Sequence, residues 1–130
     1  NDPFYEDIID NICSFFEKKI AFAQSIGVEN SQIILDPGIG FGKRVNDNYV
    51  IINNIPEIKK IGFPILIGLS RKSFLAIDND LPADRIAATL TATVVALQKG
   101  VDILRVHDVL KTQKLIKILE KIRKSTVEIL

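Results

Sequence analysis

Cysteine is nearly absent. Cys13, in a helical stretch, is the only one, which excludes an internal disulfide and any cysteine-based zinc site and fits a reducing, cytoplasmic setting. Histidine also occurs once, as His107, so a multi-histidine metal site cannot form within the chain. No apolar run approaches the roughly 20 residues of a spanning helix, and a soluble protein is expected. An excess of charge is missing too: seventeen basic residues offset sixteen acidic ones and are spread along the chain. Neither a nucleic-acid footprint nor a polybasic membrane patch is suggested, which leaves small-molecule chemistry or none. Methionine is absent altogether, and Asn1-Asp2-Pro3-Phe4 shows neither a basic nor an apolar leader pattern, so a trimmed or cut N-terminus is expected.

What is present is periodicity. The 130 residues fit one domain with one core, residues 1–130, able to bury about two-thirds of the unfolded surface. Asp2 and Pro3 read as a helix cap and first-turn proline, and Ile8, Ile12, Phe15, Phe16, Ile20 and Ala23 keep helical spacing until Gly27. Residues 33–35 form a short apolar strand ending at Asp36, followed by a glycine-rich loop over 37–42. Residues 47–60 are helical in pattern, with Pro56 kinking or restarting the helix. Residues 65–67 make a second strand, and 70–73 a polar connection into a short helical stretch. Pro82 opens a long helix through Gln98, Gly100 caps it, and residues 101–106 form a third strand ending at His107. Residues 111–124 close the chain as an amphipathic helix with Leu115, Ile118, Leu119 and Ile122 inward.

The order αβαβαβα, with strands apolar throughout and about 30 to 40 residues apart, describes a parallel sheet covered by helices. Three strands cannot close a barrel; a layered sheet and a segment of an eight-stranded barrel both stand at this point. An unclosed piece leaves sheet edges that demand a partner.

Polar groups sit where each strand ends: Asp36, then Ser70-Arg71-Lys72-Ser73, then Arg105 and His107. In parallel α/β folds those ends share one face, where ligand sites are built. Gly38, Gly40, Gly42 and Lys43 tempt a phosphate-loop reading. A Walker A loop, however, would need glycine at Pro37 and serine or threonine at Arg44, and a dinucleotide fingerprint would need glycine at Lys43. A tight turn requiring positive φ explains these glycines about as well. His107 is an anion ligand or a satisfied structural histidine. Arg105, two residues earlier on the same strand face, needs a partner if that face is inward, and a bound anion is a natural one. Asp36 caps the following turn or binds a ligand.

Three separated stretches settle more than the residues do singly. Leu35-Asp36-Pro37-Gly38-Ile39-Gly40-Phe41-Gly42-Lys43, Gly68-Leu69-Ser70-Arg71-Lys72-Ser73 and Arg105-Val106-His107-Asp108-Val109 resemble, in order, the dihydropteroate synthase family. Residues 83–89 also look like that family's penultimate helix, so the likeness covers nearly the whole chain. The resemblance implies a (β/α)8 TIM barrel that joins p-aminobenzoate to 6-hydroxymethyl-7,8-dihydropterin pyrophosphate, with magnesium, in folate biosynthesis. By the same resemblance Asp36 takes the aminopyrimidine edge of the pterin, Lys72 donates to its ring acceptors and Gly68 leaves room for the flat ring. Phe41 contacts the aminobenzoate ring, and Ser73, entering a helix, meets its carboxylate. Arg105 and His107 hold the departing pyrophosphate. Asp36, Lys72, Arg105 and His107 are the implied catalytic set; no covalent nucleophile is required.

A full barrel needs about 250 residues, so the resemblance implies only the C-terminal portion, from the helix before the sixth strand to the eighth helix. The first-strand asparagine that binds magnesium, the aspartate and asparagine completing the pterin pocket, and the mobile loops fall outside it. No metal ligand is therefore assigned here. The fragment alone is expected to be inactive, and to associate as a homodimer or with the missing N-terminal half. Two alternatives remain at this stage: a folate-binding methyltransferase domain, against which the Ser-Arg-Lys-Ser and Arg-Val-His stretches argue, and a non-catalytic barrel fragment.

Overall fold

The computed structural model describes residues 8–127. The expected cap at Asp2 and Pro3 lies outside them. Helix α1 runs Ile8–Ser25 and buries Phe16 and Ile20, while Phe15, inward by pattern, is 56% exposed. Gly27 stops it in a left-handed conformation (φ +94°). The expected first strand contracts to a single parallel bridge from Leu35 to Ile65, in which Leu35 N–H donates to Pro64 O and Leu66 N–H to Leu35 O. The reason is position: the segment is at the sheet's edge and pairs on one side only.

The second helix divides. α2 covers Val45–Asn53 and α3 Ile55–Lys59, with Pro56 in the first turn of α3, so the proline restarts the helix rather than kinking it. α2 starts two residues early because the Asp47 carboxylate accepts the Arg44 N–H at 3.0 Å. β1, Leu66–Ile67, pairs parallel with β2, Ile103–Leu104, in the register Leu66 to Ile103 and Ile67 to Leu104. The third strand, expected over 101–106, therefore pairs over its middle alone, although Arg105 N–H still donates to Ile67 O at 3.0 Å. Between these strands the short helical stretch is a 3-10 turn, Ser73–Leu75. Pro82 opens a further 3-10 turn, Pro82–Arg85, before α4, Ile86–Lys99. Gly100 at φ +109° ends α4, and Val101 N–H reaches back to Ala96 O.

α5, Val109–Lys124, carries Lys121, Arg123 and Lys124 in its last turn, where they meet the negative end of the helix dipole. Its expected inward set is half right. Leu115 and Leu119 are half-buried, but Ile118 and Ile122 are 58% and 65% exposed, because α4 covers only one side of their stripe. The core lies between the sheet and α1 to α4: Ile51, Ile55, Ile58, Ile65, Ile67 and Ala96 are fully buried. All pairings are parallel, with the Leu35 segment, β1 and β2 side by side and helices following each, as the pattern implied. Phe15 and Ile34 remain exposed beside the Leu35 edge, and Phe22, two turns after Phe15 on α1, is exposed as well. Among the described residues no helix is long and apolar enough to cross a membrane.

Candidate functional site

The three chain segments leaving the sheet carry their polar groups to one place. Asp36 leaves the first segment; its Oδ1 accepts the Gly38 N–H at 2.9 Å and its Oδ2 accepts from Arg105 Nη1 at 3.0 Å. Oδ1 thus caps the turn, while Oδ2 is taken by Arg105. The Arg105 guanidinium lies flat over Gly68: a Cβ built there would meet Nη2 at 2.6 Å, with Cζ and Nε at 3.0 Å. Gly68 makes room for that guanidinium first.

The glycine loop is a structured turn. Gly38, Gly40 and Gly42 all have positive φ, and Lys43 folds back to donate to the loop's own carbonyls, Gly38 O at 3.0 Å and Phe41 O at 3.3 Å. Asn48, 1% exposed, holds the loop from below, accepting the Gly40 N–H at 2.7 Å and donating to Arg44 O at 3.0 Å. Lys72 reaches across from the second segment to donate to Ile39 O, and its ammonium sits 4.5 Å from the centre of the Phe41 ring. Phe41 itself is 69% exposed.

Burial lowers the pKa of Lys72, and Arg105 and Lys43 lower it further against the opposing pull of Asp36. Burial lowers Lys43 likewise, with Asp36 and Asp47 opposing. Three cations thus surround one carboxylate, a field that favours anions.

On the third segment His107 meets Ser70 rather than Arg105's partner. The Ser70 hydroxyl accepts the His107 backbone N–H at 3.2 Å and lies 2.9 Å from Nδ1. Beside it Arg71 donates twice to Asp108, Nη2 to Oδ1 at 2.7 Å and Nε to Oδ2 at 3.2 Å. This fork raises the Arg71 pKa and holds the Asp108 carboxyl below the usual range. Arg71 has a left-handed backbone (φ +56°), kept there by Arg85 Nη1 donating to its carbonyl at 2.9 Å and by Thr89 Oγ1 accepting its N–H at 3.1 Å.

Of the sequence-derived candidates, Asp36, Gly68 and Arg105 are in direct contact, and Lys72 and Phe41 form a second pair beside them. His107 stands on Ser70. Ser73 is exposed and opens only a three-residue 3-10 turn, so the helix N-terminus expected to favour a carboxylate there is missing. Asn48, the pairing of Ser70 with His107 and the Arg71 to Asp108 fork escaped the sequence reading. Ser70, Arg71 and Asp108 stand inside quoted stretches and were open to suspicion, whereas nothing in the sequence marks a buried asparagine on α2.

A cleft of about 380 Å³ opens between α1 and the glycine loop, lined by Asn11, Ile12, Phe15, Phe16, Asp36, Pro37, Gly38 and Lys43. A larger apolar cleft of about 480 Å³, between α2 and α4, has none of these polar groups in its lining. Among the described residues no three histidine, cysteine or acidic side chains gather to hold a metal.

Comparison with known proteins gives a family model described as pterin binding enzyme, matching residues 1–107. The chain is 40% identical over 118 residues to the dihydropteroate synthase of Haemophilus influenzae, covering 90% of this chain and 43% of that protein. Two solved structures of the Xanthomonas albilineans dihydropteroate synthase are similar at 32% identity. One, in complex with 7,8-dihydropteroate, has TM-score 0.91 and covers 95% of this chain and 48% of its own. The other, with 4-aminobenzoic acid, has TM-score 0.90 and covers 95% and 46%. The chain thus spans less than half the length of these relatives.

Proposed function

This chain belongs to the pterin-binding enzyme family, and from that premise we propose that it supplies the C-terminal half of a dihydropteroate synthase site. The reaction would join 6-hydroxymethyl-7,8-dihydropterin pyrophosphate to p-aminobenzoate and release pyrophosphate. The portion of the (β/α)8 barrel is that from the helix before the sixth strand to the eighth helix, with residues 1–130 forming one partial domain. The observation that carries the proposal is the set of three cations, Lys43, Lys72 and Arg105, around the single carboxylate of Asp36 at the strand ends.

The chemistry follows from those groups. Breaking a C–O bond to pyrophosphate puts negative charge on the leaving group and positive charge on the pterin. On this reading the pterin's paired N–H donors take the Asp36 carboxylate, and Arg105 turns from Asp36 to the pyrophosphate. His107 adds an N–H to the same anion. Lys72 donates to the pterin ring acceptors, Gly68 bounds the ring's slot, Phe41 offers its exposed ring to the aminobenzoate, and Ser73 meets the carboxylate through its hydroxyl alone. Amine attack on the carbon then needs alignment and no covalent intermediate.

The described residues do not make a magnesium site by themselves, and no step is assigned through one. A magnesium ion would depend on the family's asparagine, outside this chain. The reducing, cytoplasmic setting is retained within the proposal, supported by the single cysteine. So is association with a second copy or with an N-terminal half, supported by Phe15 and Ile34, exposed beside the Leu35 edge, and by the exposed Phe22 of α1.

Titration calorimetry with the dihydropterin pyrophosphate and magnesium tests the site. Binding should weaken in both Asp36→Asn and Arg105→Ala. A folded chain that binds nothing would refute a half-site able to hold ligand unaided.

A further inference from the structure

We propose that Ser70 is a positioning residue for His107, fixing the imidazole as the tautomer that presents Nε2–H outward. Ser70 follows β1 and is 7% exposed, so its hydroxyl has little access to water. The oxygen accepts the His107 backbone N–H at 3.2 Å. The hydroxyl has one proton to give, and His107 Nδ1, at 2.9 Å, is the acceptor the structure offers it among the described residues. A proton donated to Nδ1 leaves that nitrogen without one of its own. The neutral ring then carries its hydrogen on Nε2, and His107 as a residue is exposed.

Two further contacts keep the pair in register. Arg71 and Asp108, the next residue on each segment, close their double hydrogen bond at 2.7 and 3.2 Å. Arg85 and Thr89 clamp the Arg71 peptide from α4 and the turn before it. The two segments are thus fixed side by side, and Ser70 is held opposite His107 at two points. An oriented, neutral N–H donor can meet an anion without adding a further charge to the cations already gathered as Lys43, Lys72 and Arg105. That purpose rests on reading Arg105 and His107 as a pyrophosphate seat; the tautomer does not.

His107 is the only histidine, so long-range proton–nitrogen NMR of this chain reads it without assignment. The spectrum is taken about two pH units above the ordinary imidazole value of roughly 6.5. The expected result is a fully pyridine-type Nδ1 and a fully pyrrole-type Nε2. Ser70→Ala should move both toward averaged values as tautomers exchange, and Ser70→Thr, which keeps the hydroxyl, should restore them. A wild-type Nδ1 that carries the proton, or averaged nitrogens in the wild type, overturns the proposal whatever the variants do. Inorganic pyrophosphate is then added. A shift of Nε2–H that needs about fivefold more pyrophosphate in Ser70→Ala supports the assigned purpose. No response to pyrophosphate in a chain with the expected tautomer overturns the anion seat, and the purpose with it, separately from the positioning.

Discussion

Replacing Gly68 by alanine should leave the fold nearly untouched and disable Arg105. The backbone at Gly68 is not left-handed, so alanine fits its conformation, and reduced freedom of the unfolded chain contributes about 0.4–1 kcal/mol of stability. Against that stands the Arg105 to Asp36 pair. The new Cβ would sit 2.6 Å from Nη2, closer than non-bonded atoms approach, so the guanidinium must move. The two side chains are 54% and 36% exposed, which limits the loss to about 0.2–1 kcal/mol. The two effects offset, and the urea midpoint should stay close to the wild-type value.

Binding does not share that tolerance. A displaced guanidinium forfeits a charge-assisted contact of about 1.5–3 kcal/mol, which is roughly a tenfold to hundredfold loss in affinity. Calorimetry with inorganic pyrophosphate isolates this from any contact with the pterin. The decisive comparison is a cycle with Arg105→Ala. If Gly68→Ala acts through Arg105, it should cost almost nothing in the Arg105→Ala background. Full additivity, or wild-type affinity in Gly68→Ala, would refute the argument that the glycine exists to seat the guanidinium.

Asn48→Ala removes two hydrogen bonds at a position 1% exposed; the Arg44 carbonyl keeps the Asp47 N–H but the Gly40 N–H loses its partner, so a loss of about 1–3 kcal/mol in urea unfolding is expected, against little change if the loop holds itself. Arg71 holds the folded Asp108 carboxyl below its unfolded value of about 3.9, so the unfolded state binds more protons between the two values. That contribution is fully present above the unfolded value and lost as pH falls through the folded one; Asp108→Asn should flatten the acid limb of stability against pH, and an unchanged limb would sink the assignment. Phe22→Asp and Ile34→Asp, at side chains 62% and 52% exposed, should change monomer stability by under about 0.5 kcal/mol yet lower the sedimentation coefficient at high concentration if that flank joins copies.

Periodicity placed every α-helix among the described residues and all three strand segments, though not the 3-10 turn Asn30–Gln32, because apolar spacing reports which side of an element is covered. Boundaries failed where something other than spacing decided them. The Asp47 cap lengthened α2, Pro56 divided the helix, and the lack of a second neighbour reduced residues 33–35 to one bridge. Ile118 and Ile122 failed for the same reason as that strand: their pattern describes a surface to be covered, and α4 covers part of it. That Asp36, Lys72 and Arg105 would gather on one face was legible because strand ends of a parallel sheet share a face, although Asp36 also caps its own turn. Asn48 was not, since its work is done by backbone partners that only the folded loop brings within reach.

On the proposed reading of the chain as part of a barrel, the polar cluster is organised without the rest of that barrel. The groups that touch across segments do so through local means: a three-glycine loop, a lysine bonded to a backbone carbonyl, an arginine packed on a glycine, and a fork between neighbouring residues of two strand ends. All of these contacts are made between residues of this chain. What a closed barrel would add is cover for Phe15, Phe22 and Ile34, and a wall opposite Asp36, where the cleft beside α1 now opens to solvent. Preorganisation of the charged groups and exclusion of water are therefore separable in this chain. Ligand contacts should survive in part without a partner, whereas the barrier-lowering that depends on a dry site should not.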